Sequence, residues 1–195
     1  MIAMGSTENP DSPVAVSAPR ARVAPFIALA VALVLALFVW LLATRDTGDA
    51  AAVSSPLLGK IAPPIRGTGF RNDAFDLDLQ RGKWVIVNFF STTCVPCKLE
   101  HPQLVELATR HEAAADLGIV SITFEDSPAK VREFFETNGG TWPVLIADTG
   151  RIAISYGVAA VPESYVVAPS GLVARKIIGG ISADGIDQLL LRLGS

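Results

Sequence analysis

The chain contains two cysteines, Cys94 and Cys97, held two residues apart in the stretch NFFSTTCVPCKLEHPQL at positions 88–104. Thiols at this spacing can clamp a metal, form a structural bridge, or exchange electrons as a dithiol. Structural zinc takes four ligands, and the chain adds only two histidines, His101 and His111. On a helix His101 could face Cys97, but at about 1.5 Å of rise per residue His111 lies roughly 20 Å or more from Cys94. Zinc is left short of donors, and copper(I) on the two thiolates stays open. A structural bridge would close so short a loop that it removes little unfolded-chain entropy.

The placement of the pair favours redox chemistry. WVIVNFF, at 84–90, is a nearly continuous apolar, β-rich run that reads as a strand covered on both faces. Beyond the cysteines, Leu99, Gln103, Leu104, Leu107 and Ala108 recur at helical spacing through about His111. Cys94 then stands at a helix N-terminus, where free N–H groups and the macrodipole favour a thiolate. Cys94 is the expected nucleophile and Cys97, one turn further in, the resolving thiol; a CxxC after a strand in a βαβ pattern carries this meaning. Glu100 follows Cys97 by three residues on the same helical face, where a carboxylate raises a thiol's pKa and can take its proton. His101 is expected to be exposed. Pro102 offers no N–H to the carbonyl of Lys98 and should kink the helix.

The elements that must position this pair follow in order. GIVSITF (118–124) reads as a second buried strand, and Ser127-Pro128 caps a helix to about Thr137 that ends at Gly139-Gly140. WPVLIAD (142–148) supplies a third strand and Ile152–Tyr156 a short helix. ESYVVAPSGLVARKII (163–178) reads as a hairpin, and SADGIDQLLLRL (182–193) as a closing helix. This is an α/β chain whose mixed central sheet is flanked by helices, in the order of the thioredoxin plan. The stretch LLGKIAPPIRGTGFRNDAFDLDL (57–79) would add an N-terminal strand or hairpin.

The N-terminal part has a different character. Between Ala24 and Ala43 no residue is charged, and about 20 apolar residues suffice to cross a bilayer. We expect a disordered cytoplasmic tail at 1–22, a transmembrane anchor at 23–44, a tether at 45–56 and one domain at 57–195. A cleaved signal is the rival reading, disfavoured by the length of the apolar run. Arg20 and Arg22 before the span against Arg45 after it favour a cytoplasmic N-terminus and a domain outside the cell membrane. The net charge of −3 and the lack of a Lys/Arg cluster in the domain argue against nucleic acid as a partner.

Three segments also carry a family resemblance: LLGKIAPPI (57–65), VIVNFFSTTCVPCKLEHPQL (85–104) and WPVLIADTGRIAISYGVAAVPESYVVAPSGLVARKIIGG (142–180). Together the chain resembles the membrane-anchored TlpA/ResA/DsbE-type thiol:disulfide oxidoreductases of cytochrome c biogenesis. The resemblance implies a reductant of protein disulfides, with apocytochrome c as client and a membrane thiol reductant of the CcdA/DsbD type as electron source. It implies no metal and no cofactor beyond a redox-active Cys94–Cys97 disulfide. It also implies a cis bond before Pro162, with Val161 pairing its backbone to an extended substrate and Glu163 serving partner recognition or proton balance. Thr93 stands where the family has Trp, and Thr93 and Pro96 flank the substrate surface. An oxidase or isomerase role, a peroxidase role suggested by Ser91 three residues before Cys94, and a copper-binding assembly factor of the Sco type are the alternatives. Against the last two, Val87 replaces the proline of the peroxidase pattern, and Sco-type cysteines are three residues apart.

Overall fold

The structure, a computed structural model, describes residues 24–43 and 55–194, in two units divided after Asp46. In the first, helix α1 runs from Ala24 to Ala43 without a charged side chain. Its side chains are described through Trp40, and large apolar ones such as Phe26, Leu29, Leu33 and Leu37 are exposed. Among the described residues no helix is long and apolar enough to cross a membrane. The expected tail at 1–22 and the expected tether up to Ser54 lie outside the described residues.

The second unit opens with a hairpin of β1 (Arg66–Thr68) and β2 (Ala74–Asp76), the N-terminal addition expected from the sequence. There follow β3 (Trp84–Phe90), α2 (Val95–His111), β4 (Leu117–Thr123), α3 (Pro128–Asn138), β5 (Val144–Leu145), α4 (Thr149–Tyr156), β6 (Glu163–Val167), β7 (Val173–Ile178) and α5 (Ala183–Gly194). The main sheet has the order β5-β4-β3-β6-β7. β3, β4 and β5 are parallel, while β6 and β7 run antiparallel to their neighbours. β3 is therefore central, and its apolar side chains serve both faces. Ile86 and Phe90 pack with Leu104 and Leu107 of α2 and Ile186 of α5; Val85, Val87 and Phe89 pack with Ile152 and Tyr156 of α4. This alternation is what a strand covered on both sides requires.

β5 is shorter than the expected 142–148 strand, and the sequence explains why. Pro143 has no N–H for the ladder, although its carbonyl still accepts from Ser121 N at 3.0 Å. Asp148 has φ of 55°, a left-handed conformation that ends extended structure before α4. Helix α2 continues through Pro102 to His111. Its far end is tied to α5 by Arg110, which reaches Asp184 at 2.7 Å and Asp187 at 2.6 Å.

Candidate active site

The site is built at the end of the central strand, where the chain must turn into α2. Thr92 fastens the turn: its N–H donates to Asp126 Oδ2 at 2.7 Å and its hydroxyl to Asp126 Oδ1 at 2.6 Å. Ser91 Oγ and Thr93 Oγ1 share a hydrogen bond of 3.0 Å, and Cys94 N donates to Ser91 O. Cys94 is thereby the N-cap of α2, and its Sγ accepts the N–H of Cys97 at 3.2 Å. The two cysteines form a disulfide. Cys94 is half-buried and Cys97 only 3% exposed, so a partner's sulfur reaches Cys94 first. Thr93, Val95 and Pro96 are exposed around it. A groove of about 350 Å³ lies beside Thr93, lined also by Thr92, Lys98, Lys130, Phe134 and Thr137.

The loop before β6 closes the other side. The Val161–Pro162 bond is cis, as the resemblance implied, and the carbonyl oxygen of Val161 lies 3.6 Å from Cys94 Sγ. Val161 is half-buried and Pro162 buried. Of the two roles expected for Glu163, partner recognition and proton balance, direct contact with a partner does not fit its position, because only 1% of the residue is exposed. Its Oε2 pairs with Lys176 Nζ at 2.8 Å and its Oε1 accepts from Ala159 N at 3.3 Å. Lys176 also donates to Gly157 O at 3.2 Å. The buried ion pair thus grips the loop from Gly157 to Pro162 through two of its backbone groups, and a buried pair of this kind fixes geometry more than it adds stability.

Glu100 is buried, 3% exposed, on α2 one turn beyond Cys97. Its Oε1 accepts from Ile181 N at 3.2 Å and its Oε2 from Asn88 Nδ2 at 3.4 Å. Burial pushes the carboxyl up to about 7, against the opposing pull of these two donors. A carboxyl with that pKa can both take and return a proton at neutral pH. Asn88 is itself bonded across the sheet. Its Nδ2 donates to Ser164 Oγ at 3.1 Å, its Oδ1 accepts from Ser121 Oγ at 3.4 Å, and Ser121 Oγ accepts the indole N–H of Trp142 at 2.8 Å.

His101 corrects the sequence expectation, since it is 4% exposed rather than on the surface. It packs edge-on against Phe134 and Phe135, and its Nε2 lies 3.0 Å from Gly139 O. Burial lowers its pKa, which keeps the ring neutral and suited to this aromatic pocket. The cause is that α2 presents two faces to protein, one to the sheet and one to α3, and His101 lies on the second. Among the described residues, no group of three or more His, Cys, Asp or Glu is placed to hold a metal ion.

A family model described as the AhpC/TSA family matches residues 58–176, well over half of the chain. The chain belongs to the AhpC/TSA family. The chain is 33% identical over 143 residues to the thiol:disulfide interchange protein HelX of Rhodobacter capsulatus, covering 72% of this chain and 78% of that one. It is 28% identical over 136 residues to the thiol-disulfide oxidoreductase ResA of Bacillus anthracis, covering 70% and 78%. Among solved structures, a thiol:disulfide interchange protein of the thioredoxin family from Chlorobium tepidum superposes with a TM-score of 0.63 at 25% identity, covering 72% of this chain and 98% of that one. This AhpC/TSA member is a thiol:disulfide oxidoreductase with the thioredoxin fold, and the paired cysteines on α2 are the feature that fits its relatives' names.

The site also contains residues that motif reading passed over: Asn88, Ser121, Ser164, Trp142, Asp126 and Lys176. A signal for three of them was present. Asn88 and Ser121 are single polar residues inside apolar strands, and Asn88 pairs in register with both Ser121 and Ser164. A polar side chain in a doubly covered strand requires a buried partner. Asp126 and Lys176 carry no such mark, because charged residues in a loop or on a hairpin strand usually face water.

Proposed function

We propose that this protein is a membrane-tethered, extracytoplasmic reductant of protein disulfides, with apocytochrome c as its client and a membrane thiol reductant of the CcdA/DsbD type restoring its dithiol. The observation that carries the chemistry is the asymmetry of the pair: Cys94 open at the N-cap of α2, Cys97 buried, with a buried Glu100 one turn further along the helix. In the reduced protein the Cys94 thiolate attacks one sulfur of the client disulfide, forming a mixed disulfide and expelling the client's other sulfur as a thiolate. Glu100 accepts the proton of Cys97; the Cys97 thiolate attacks Cys94 Sγ and expels the client's first sulfur. The client gains two electrons and the Cys94–Cys97 pair loses them. The proton on Glu100 passes to a departing thiolate.

The loop ahead of β6 is the substrate-binding edge. Val161, beside Cys94, lies where an extended client segment would run, cis-Pro162 leaves no N–H to compete, and Glu163 with Lys176 keeps the loop in place. Thr93 and Pro96 form the exposed rim, and the smaller Thr93 leaves the neighbouring groove open. Cytochrome c as client rests on the resemblance to TlpA/ResA/DsbE-type proteins. The anchor rests on the sequence, where the uncharged apolar run from Ala24 to Ala43 has about the length that a bilayer-spanning segment needs. Tethering keeps catalyst, client and reductant near one membrane surface and raises their effective concentration. The orientation follows from Arg20 and Arg22 ahead of the span.

The direction of transfer is testable with a synthetic peptide holding a CxxCH disulfide. We expect the reduced full chain in detergent to open the peptide disulfide while its own cysteines become resistant to alkylation. Spontaneous transfer of the protein's disulfide to the reduced peptide, with no reaction in the other direction, would assign it instead to oxidation.

A further inference from the structure

A row of buried polar side chains crosses the sheet beneath the redox pair, and its chemistry gives it a direction. The row runs from Trp142, just before β5, through Ser121 on β4 and Asn88 on β3 to Glu100 on α2, with Ser164 on β6 beside it. Trp142 is 6% exposed, and Asn88, Ser121 and Ser164 are 1% exposed or less. Each interior group must therefore find its partners within the protein.

An indole N–H can only donate. Ser121 Oγ accepts from it, at 2.8 Å, and the serine's own hydroxyl donates to Asn88. The oxygen of the Asn88 amide is then the end that faces Ser121, at 3.4 Å, and the NH₂ end is turned to Ser164 and Glu100. An amide can flip, and its orientation is set by its network; here the Ser121 hydroxyl, which donates to its oxygen, and the Glu100 carboxylate, which accepts from its NH₂, set it. The result is an N–H aimed at the Glu100 carboxylate, alongside the Ile181 N–H on the other oxygen.

We propose that Trp142, Ser121 and Asn88 are positioning residues whose one-way hydrogen bonding holds an N–H donor against Glu100 and so keeps that carboxyl able to ionise while buried. The inference rests on the reading of Glu100 as the proton acceptor for Cys97 and names what sustains it. The surroundings of Glu100 leave these donors in control. β3 presents Asn88, and the segment between β7 and α5 presents Gly180 and the Ile181 N–H. From its own helix the nearby titrating group is Cys97, which does not titrate in the disulfide. Burial and the two N–H donors are the influences acting on its pKa.

The test is the carboxyl titration of Glu100, followed by NMR in the oxidised full chain labelled with ¹³C at glutamate carboxyls and in the presence of detergent, with Glu100→Gln identifying the signal. Ser121→Ala removes the proton that fixes the amide, so Asn88 is free to turn its oxygen toward Glu100 and demand a proton there. We expect the Glu100 midpoint to rise by about one pH unit in Ser121→Ala and in Asn88→Leu, and to return to the native value in Ser121→Thr. Should Asn88→Leu fail to fold, the two Ser121 variants decide alone. An unchanged or lowered midpoint in Ser121→Ala, or no recovery in Ser121→Thr, would overturn the inference. Failure of the underlying reading looks different: Glu100→Gln would then reduce clients at the native rate at every pH, whatever the midpoint does.

Discussion

Cys97→Ser should accumulate a covalent complex with its client, while Cys94→Ser should form none and lose turnover altogether. The two variants separate because the sulfurs occupy different surroundings. Cys94 is half-buried at the N-cap, with the Cys97 N–H pointing at its Sγ from 3.2 Å, whereas Cys97 is enclosed by protein. A thiolate at Cys94 is stabilised by that N–H and the end of the helix, and it is the one a client disulfide can reach. With Cys97 replaced, the mixed disulfide has no internal thiol to resolve it and persists until an external thiol arrives. Non-reducing electrophoresis after mixing with the CxxCH peptide reads the result as a mass shift removed by dithiothreitol. A complex formed through Cys97 in Cys94→Ser would mean that the roles are reversed.

Glu100→Gln carries the second large effect, and it acts on rate and stability in opposite directions. A thiol of ordinary pKa, about 8.5, is only about 3% ionised at pH 7, so a carboxylate that removes its proton can speed resolution by at most about 30-fold. We expect the variant to approach that loss at pH 7 and to lack the rise in rate with pH that the native carboxyl, at about 7, produces. Stability moves the other way. The folded carboxyl binds its proton more tightly than the unfolded one, so its contribution is complete below about pH 4.5 and is lost as pH rises through about 7. The native protein therefore bears a penalty above neutrality on the order of 3 kcal/mol, which a neutral glutamine avoids in part. Thermal melts at pH 5 and pH 8 should show Glu100→Gln gaining relative stability at the higher pH. Equal pH dependence in both proteins would remove Glu100 as a titrating group in this range.

Much of this was legible before the structure. The bounds of β3 and α2 follow from periodicity and from Cys94 as a cap, and α3 begins at its Ser127-Pro128 signal. The cis bond at Pro162 was reached through the resemblance, since nothing local to the sequence marks it. What escaped was the inside of the site. His101 looked like a surface residue because α2 shows an apolar stripe on one side, and only the position of α3 reveals that Phe134 and Phe135 cover the other. Glu163 was expected to serve partner recognition or proton balance, and nothing in the sequence marks its buried partner, because Lys176 lies on another strand. Sequence periodicity records which face a residue occupies, whereas partners across a sheet are set by register, which tertiary packing decides.

The most direct measurement is the reduction potential of the Cys94–Cys97 couple in the full chain in detergent, equilibrated against glutathione and dithiothreitol buffers. A reductant of client disulfides needs a couple near or below about −250 mV, in the range of thioredoxin, and that is the result we expect. A value above about −150 mV would place the couple with strong oxidants such as DsbA and contradict the proposed direction of electron flow.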